Sequence, residues 1–228
     1  MPKFTFASEN EGFDNHIALS IRGYTDLWSD VLKFSEYFIE DGTTVLDIGC
    51  STGKLLKAMM QKNKEHAPDC RYKGIELETE FFPDLKNEEK LQFYTMDVRD
   101  FDWDSVKKTC SLVTSIFTLQ FIPKRDRRVI IGQIYDSLSV GGAFIFAEKM
   151  LSTDSQIEEM MTFCYYDWKK KNFTEKEILD KEAQLRSMMK LLTEEQIITL
   201  LKQGGFSNVQ RFWQNFNFVG WIAIKNVN

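Results

Sequence analysis

The chain is poor in residues that staple or ligate. Its 228 residues hold four cysteines, at positions 50, 70, 110 and 164, with no Cys-x-x-Cys pair, and two histidines, His16 and His66. That spacing argues against a zinc site, and a disulfide framework belongs to shorter secreted chains. Reduced thiols in a cytoplasmic protein are expected, and no metal. No apolar run approaches the roughly 18 residues of a membrane helix. The start, Met1 to Phe6, lacks the continuous apolar stretch of a secretion signal. Four prolines and twelve glycines leave no low-complexity linker, and no repeat is visible. Positive charge is in deficit, 29 basic against 34 acidic residues for a net charge of -5, so a broad nucleic-acid-binding face is not expected. Lys169-Lys170-Lys171 reads as a solvated face.

What is present is core material. Apolar residues make up 43% and aromatics 14%, with 19 Phe, enough for a sizeable core. One domain spanning 1–228 is expected at this length. Residues 1–40 read as a helical segment, with Leu27, Val31 (or Trp28), Phe34 and Phe38 on one face over 24–39 and Asp41-Gly42 as its stop. Strands are expected at 44–48, 71–76, 91–97, 111–116 and 143–148, the last preceded by Gly141-Gly142, with helices after 54 and over 126–138. Strands alternating with helices predict an α/β fold, a mostly parallel sheet covered on both faces. From 155 to 190 the pattern becomes charged, Met-rich and helical, an insertion beside the sheet. Thr193-Glu194-Glu195-Gln196 opens another helix as a capping box, ending at Gly204-Gly205. Two final strands, 209–218 and 219–225, form a hairpin.

The chemistry concentrates at Val45-Leu46-Asp47-Ile48-Gly49-Cys50-Ser51-Thr52-Gly53. A buried strand ends in an acid, and a turn of small residues opens a helix, so a ligand can approach the backbone. The GxxxG spacing is not the GxGxxG of a pyrophosphate site, and Lys54-Leu55 is not the Gly-Lys-Ser/Thr of a phosphate-cradling loop. An adenosine ligand without phosphate fits better, and Asp47 is placed to hold a cationic amine. That describes S-adenosyl-L-methionine (SAM). Glu76, at the end of the second strand, stands where an acid accepts a ribose diol, and Asp97, at the end of the third, where it reaches an adenine amino group. The simpler alternatives are a solvated loop acid at 76 and a helix N-cap at 97.

Asp47-Ile48-Gly49-Cys50-Ser51-Thr52-Gly53 resembles the first motif of class I SAM-dependent methyltransferases, whose Rossmann-like sheet has seven strands with the last antiparallel. Ile116-Phe117-Thr118-Leu119-Gln120-Phe121, the segment from Gly141 to Lys149, Tyr166-Asp167-Trp168 and the segment from Phe212 to Phe218 together resemble the carboxy-SAM synthases, from Phe13-Asp14 onward. Those enzymes make carboxy-S-adenosyl-L-methionine from SAM and prephenate for tRNA wobble-uridine modification. The resemblance implies that Tyr24 lines the cofactor pocket, that Gly49 and Ser51 form the glycine turn, and that Glu76 (aspartate in the family) and Asp97 hold ribose and adenine. Asp47, Cys50, Gly53, Leu77, Val98, Ile116 and Phe117 complete the expected cofactor set, and Tyr166, Glu182 and Arg186 the substrate pocket.

Two departures stand out. Ile116 replaces a family asparagine. Glu182 replaces the arginine that grips the transferred carboxylate, which exchanges attraction for repulsion unless another cation moves in. Arg186, one helical turn on, is placed to do so, whereas Lys181 points elsewhere on the helix. In-line methyl transfer needs alignment and exclusion of water more than a metal or nucleophile. Tyr24, Tyr165, Tyr166 and Asp167 are the candidates for a base, and none is assigned. Three readings stay open: a SAM-dependent methyltransferase with a small-molecule acceptor, a carboxy-SAM synthase with Arg186 as its grip, and a non-catalytic SAM-binding subunit. The insertion is expected to cap the site, to join two copies in a homodimer, or to pack as core.

Overall fold

The computed structural model describes residues 12–78, 81 and 87–226. Positions 1–11 of the expected N-terminal helical segment lie outside the described residues. Among the described residues seven strands form one sheet: β1 (Thr44–Ile48), β2 (Arg71–Glu76), β3 (Leu91–Thr95), β4 (Cys110–Ile116), β5 (Leu138–Lys149), β6 (Asn208–Asn215) and β7 (Phe218–Ile224). Their spatial order is β3-β2-β1-β4-β5-β7-β6. The first five run parallel, and β7 lies antiparallel between β5 and β6. The chain reverses its direction of winding between β1 and β4, so the crevice opens at their carboxyl ends.

Among the described residues seven α-helices accompany the sheet: α1 (Phe13–Ser20), α2 (Tyr24–Phe38), α3 (Lys54–Asn63), α4 (Lys124–Ser137), α5 (Ser155–Lys169), α6 (Glu175–Met188) and α7 (Glu194–Gln203). Strand side chains alternate between two cores, as the pleat requires. Leu46, Val113, Phe144 and Phe146 point to the side of α4 and α7, where they meet Ile131, Ile134, Leu201 and Trp221. Val45, Leu112, Ala143 and Ile145 point to the other, against Leu27 and Val31 of α2 and Leu56 and Met59 of α3. In α2 the fully buried row is Leu27, Val31 and Ser35, while Phe34 and Phe38 are half-buried. Ser35 is accommodated because Asn63 of α3 donates to its hydroxyl at 3.0 Å.

Several boundaries differ from expectation: β3 stops at Thr95 rather than at 97, so Asp97 lies beyond its end as the N-cap of a short turn, and α4 begins at Lys124 rather than 126. Gly141-Gly142 does not precede β5 but lies inside it, where the pairing with β4 shifts register between Cys110 and Leu112. A Cβ on Gly142 would come within 3.0 Å of the carbonyl oxygens of Cys110 and Ser139, so glycine lets the two backbones close up at the bulge. The terminal hairpin turns at Phe216-Asn217 rather than after Phe218, with Phe216 at a φ of +49°. Buried Phe218 pairs with Lys149, which commits it to β7. The expected capping box at Thr193 is formed, and a second one stands at Thr174. Cys50, Cys70 and Cys110 are buried, Cys164 is exposed, and all four are free thiols. Among the described residues no helix is long and apolar enough to cross a membrane.

Candidate functional site

A cavity of about 520 Å³ opens where β1, β2, β4 and β5 end, walled by α1, the start of α2, and α5 with α6. Its floor is the turn from Gly49 to Thr52. Gly49 has a φ of +74°, and a Cβ there would sit 2.1 Å from Oγ1 of Thr118, so neither the backbone nor the space admits a side chain. The Gly49 and Cys50 amides donate to Ile75 O at 2.8 and 3.1 Å, which pins the turn to the tip of β2. Gly53 (φ +71°) stands behind the wall as the residue that starts α3. Across the turn, α1 is tied down by Asp14, which accepts from the Thr52 hydroxyl at 3.3 Å and faces Lys54 at 3.8 Å.

Three acids stand at the tips of β1, β2 and beyond β3. Asp47 is 3% exposed, accepts a 2.7 Å hydrogen bond from the Thr114 hydroxyl, and is pushed up to about 7 by burial, with neighbouring Glu76 adding to the rise. Glu76 accepts from the amides of Ser51 (2.9 Å), Leu77 (2.9 Å) and Glu78 (3.0 Å). Burial raises its pKa and these amides oppose the rise. They take three of the roughly four acceptor positions a carboxylate offers. Asp97 caps the short turn Val98–Asp100 and is held below the usual carboxylate range by Arg99, which donates to it at 2.6 Å while also reaching Asp126 at 3.2 Å. The N-cap alternative is thus present, on a residue that also lines the cavity.

Aromatic rings close the back. Phe117, forced to a φ of +58° as the chain leaves β4, packs between Tyr24 (6.4 Å) and Phe218 (5.7 Å). Burial, with Asp14 and Asp47 nearby, pushes the Tyr24 hydroxyl up, so it remains protonated at neutral pH. Tyr165 is raised as well and donates to Ser20 O at 2.9 Å, which spends its proton on α1. Neither hydroxyl is poised as a base.

The structure gathers most of the residues expected at the site. Tyr24, Asp47, Gly49, Cys50, Ser51, Glu76, Leu77, Asp97, Val98, Ile116, Phe117 and Glu182 all line one cavity. Gly53, Tyr166 and Arg186 do not. Tyr165 takes the inward position next to Tyr166, and Arg186, one turn on from Glu182 along α6, is exposed and outside the cavity wall. Lys181, expected to point away, is in the wall, and Lys169, expected in a solvated run, is 4% exposed. The cation beside Glu182 is Lys149, whose Nζ lies 3.5 Å from both carboxylate oxygens. Lys149 follows the last residue of the expected fifth strand, and strand-tip position was a signal for it. For Lys169 the helical spacing from Tyr165 was a weaker one.

A family model described as a methyltransferase domain matches residues 45–142. Carboxy-S-adenosyl-L-methionine synthase of Staphylococcus epidermidis is 34% identical over 229 residues, covering 98% of this chain and 97% of that protein. The synthase of Shewanella oneidensis is 31% identical, over 97% and 93%. Among solved structures, a putative methyltransferase of Haloferax volcanii bound to its activator superposes with a TM-score of 0.64 at 14% identity, over 97% of this chain and 98% of that one. Human N-acetylserotonin methyltransferase in complex with SAM gives 0.57 at 16% identity, over 88% and 53%. The sheet order, the glycine turn and the strand-tip acids define a SAM-dependent enzyme with a Rossmann-like methyltransferase fold. Within that class, the chain belongs to the carboxy-S-adenosyl-L-methionine synthase family.

Proposed function

We propose that the chain makes carboxy-S-adenosyl-L-methionine from SAM and prephenate, in the cytoplasm, as a supply step for tRNA modification: the ring carboxyl of prephenate leaves its ring carbon and bonds to the methyl carbon of SAM, the ring aromatises to phenylpyruvate by expelling its hydroxyl, and that hydroxyl departs as water with the proton the methyl group gives up. The observation that carries this reading is the two-ended wall of one cavity within a near full-length likeness to the synthases. Asp47, Glu76 and Asp97 stand at one end, and Lys149 and Lys169 at the other. The acid end suits a nucleoside with a cationic sulfur and amine. Asp47 has a buried carboxylate for the positive charge, and Glu76 retains an acceptor position for a ribose hydroxyl. The aromatic back wall of Phe117, Tyr24 and Phe218 excludes water from the methyl group. Incubation with SAM and prephenate, followed by mass spectrometry, is expected to return carboxy-SAM. Unchanged SAM under conditions where it binds would refute the reading.

Glu182 favours a second reading, methyl transfer from SAM to another small-molecule acceptor, because it stands where the resemblance calls for an arginine. Recovery of S-adenosylhomocysteine, with no carboxy-SAM, would select it. We further propose a homodimer through the insertion. Ile157, Met160 and Phe163 form a stripe on α5 that is 43, 57 and 59% exposed, an apolar face of the kind a second copy covers.

A further inference from the structure

The inner end of the cavity is unusual for the company its charges keep. Among the described residues that β5, α5 and α6 contribute to the wall, three are lysines and one is an acid, Glu182. Lys149 and Lys169 come from different elements yet converge on one ring. Their Nζ atoms lie 5.5 and 5.3 Å from the centroid of Tyr165. Phe218 stands 5.8 Å from the first and Phe173 5.4 Å from the second. The Tyr165 ring is fixed by its hydroxyl bond to Ser20 O, so the ammoniums are mounted on a rigid aromatic post. Their side chains are nearly shut off from solvent, Lys149 at 12% and Lys169 at 4%. Ring faces attract cations but carry no net charge. Two ammoniums held this dry need compensating anions, and one carboxylate at a loose 3.5 Å supplies half of that. Burial lowers Lys169 to about 8, with Lys149 and Lys181 pushing the same way and Glu182 alone opposing, the signature of a site short of negative charge.

We propose that Lys149 and Lys169 form a carboxylate-binding subsite for the second substrate, and that Glu182 is its internal competitor, holding Lys149 until a substrate carboxylate displaces it. The pair sets specificity for an acidic second substrate, and Glu182 sets how tightly that substrate binds. The inference rests on the SAM-dependent reading only in assigning the acid end of the cavity to the nucleoside. The charge argument at the lysine end stands on its own residues.

The test is isothermal titration with malonate as the probe, on protein saturated with S-adenosylhomocysteine and on protein without it, with malonamide as the uncharged control. Malonate is expected to bind and malonamide not. Lys149→Met and Lys169→Met should each weaken malonate by at least about tenfold, and Glu182→Gln should strengthen it by about fivefold or more. Adenosylhomocysteine affinity, unchanged within about twofold in all three variants, verifies that each is folded. Glu182→Gln keeps the size of the side chain, so it decides the matter even where a lysine variant fails to fold. Malonate that binds neither the native protein nor Glu182→Gln, or binds both equally, overturns the proposal, as does equal binding of malonamide. Failure of adenosylhomocysteine alone to bind would strike the SAM-dependent reading instead, and the titration without it would still judge the lysine subsite.

Discussion

Asp47 sits at a threshold. Burial holds it at about 7, well above an ordinary carboxylate, so at pH 6 most copies of the protein carry it as the neutral acid. A cation bound beside it favours the ionised form. Binding of S-adenosylhomocysteine, which keeps the amine, or of SAM should therefore release protons at pH 6, and affinity should rise as pH climbs through about 7. Titration calorimetry in buffers of different ionisation enthalpy reads the released proton directly. Asp47→Asn should flatten the pH dependence and lower affinity; a pH-independent affinity in the native protein would remove Asp47 from the cation site. Cys50 next door is also raised by burial, and remains a thiol throughout.

At the scale of elements, the turn between β1 and α3 is the most constrained piece of chain at the site. Gly49→Ala adds a Cβ against Oγ1 of Thr118 at a positive φ, and should destabilise the fold by about 1–3 kcal/mol in denaturant unfolding. The cost has two parts. Thr118→Ala in the same chain should recover the steric part and leave the conformational one, and strict additivity of the two substitutions would show that the residues do not meet. Helices α5 and α6 belong to the same scale. Their sequence pattern gives a Met-rich, charged insertion, and which of its faces turns inward follows from packing. Tyr165 and Lys169, four residues apart, face the cavity, while Tyr166 and the exposed Phe163 do not. The period of a helix places 165 and 169 together but leaves open which face meets the sheet. The family resemblance implies Tyr166 in the pocket, and the packing of α5 turns Tyr165 inward instead.

For the whole molecule, three buried acids, Asp47, Glu76 and Glu148, all raised by burial, set how stability depends on pH. Glu148, at the end of β5, is raised to about 8 by burial, against the pull of Arg127, and one of its oxygens has no hydrogen-bond partner. Asp47 shifts the same way. An acid whose folded pKa exceeds its unfolded value holds its proton better when folded. Its contribution is complete below the unfolded value, about 4.5 for Glu148, and is lost as pH rises through about 8. Melting temperature should therefore fall between pH 5 and pH 8, and Glu148→Gln should flatten that slope in part, with Asp47 and Glu76 carrying the rest. Lys169 acts above this window and in the opposite sense. Its folded pKa, about 8, lies below the unfolded 10.5, so its burial weighs most heavily below about 8 and is relieved at higher pH. Assembly is tested at the same scale. Phe163→Asp puts a charge at the centre of the exposed α5 stripe and should convert a dimer to monomer in light scattering, with no loss of melting temperature in the monomer. A native protein that is monomeric at micromolar concentration would remove the dimer.

The sequence by itself determined the class of fold and the acid half of the cavity. Strand and helix periods are local, a glycine turn is written in consecutive residues, and an acid that ends a parallel strand must emerge on the ligand side wherever that strand sits. Asp47, Glu76 and Asp97 could therefore be named before any packing was known, although the amides that hold Glu76 and the Arg99 that holds Asp97 could not. Only the tertiary structure decided the lysine half. Lys149 ends a strand, Lys169 ends one helix and Glu182 lies within the next. They meet because α5 and α6 wall the cavity at the tip of β5, where Tyr165 packs against Phe218 and the ammoniums of Lys149 and Lys169. The rotation of two helices about their own axes is fixed by which apolar surfaces interlock, and no stretch of local sequence carries that information.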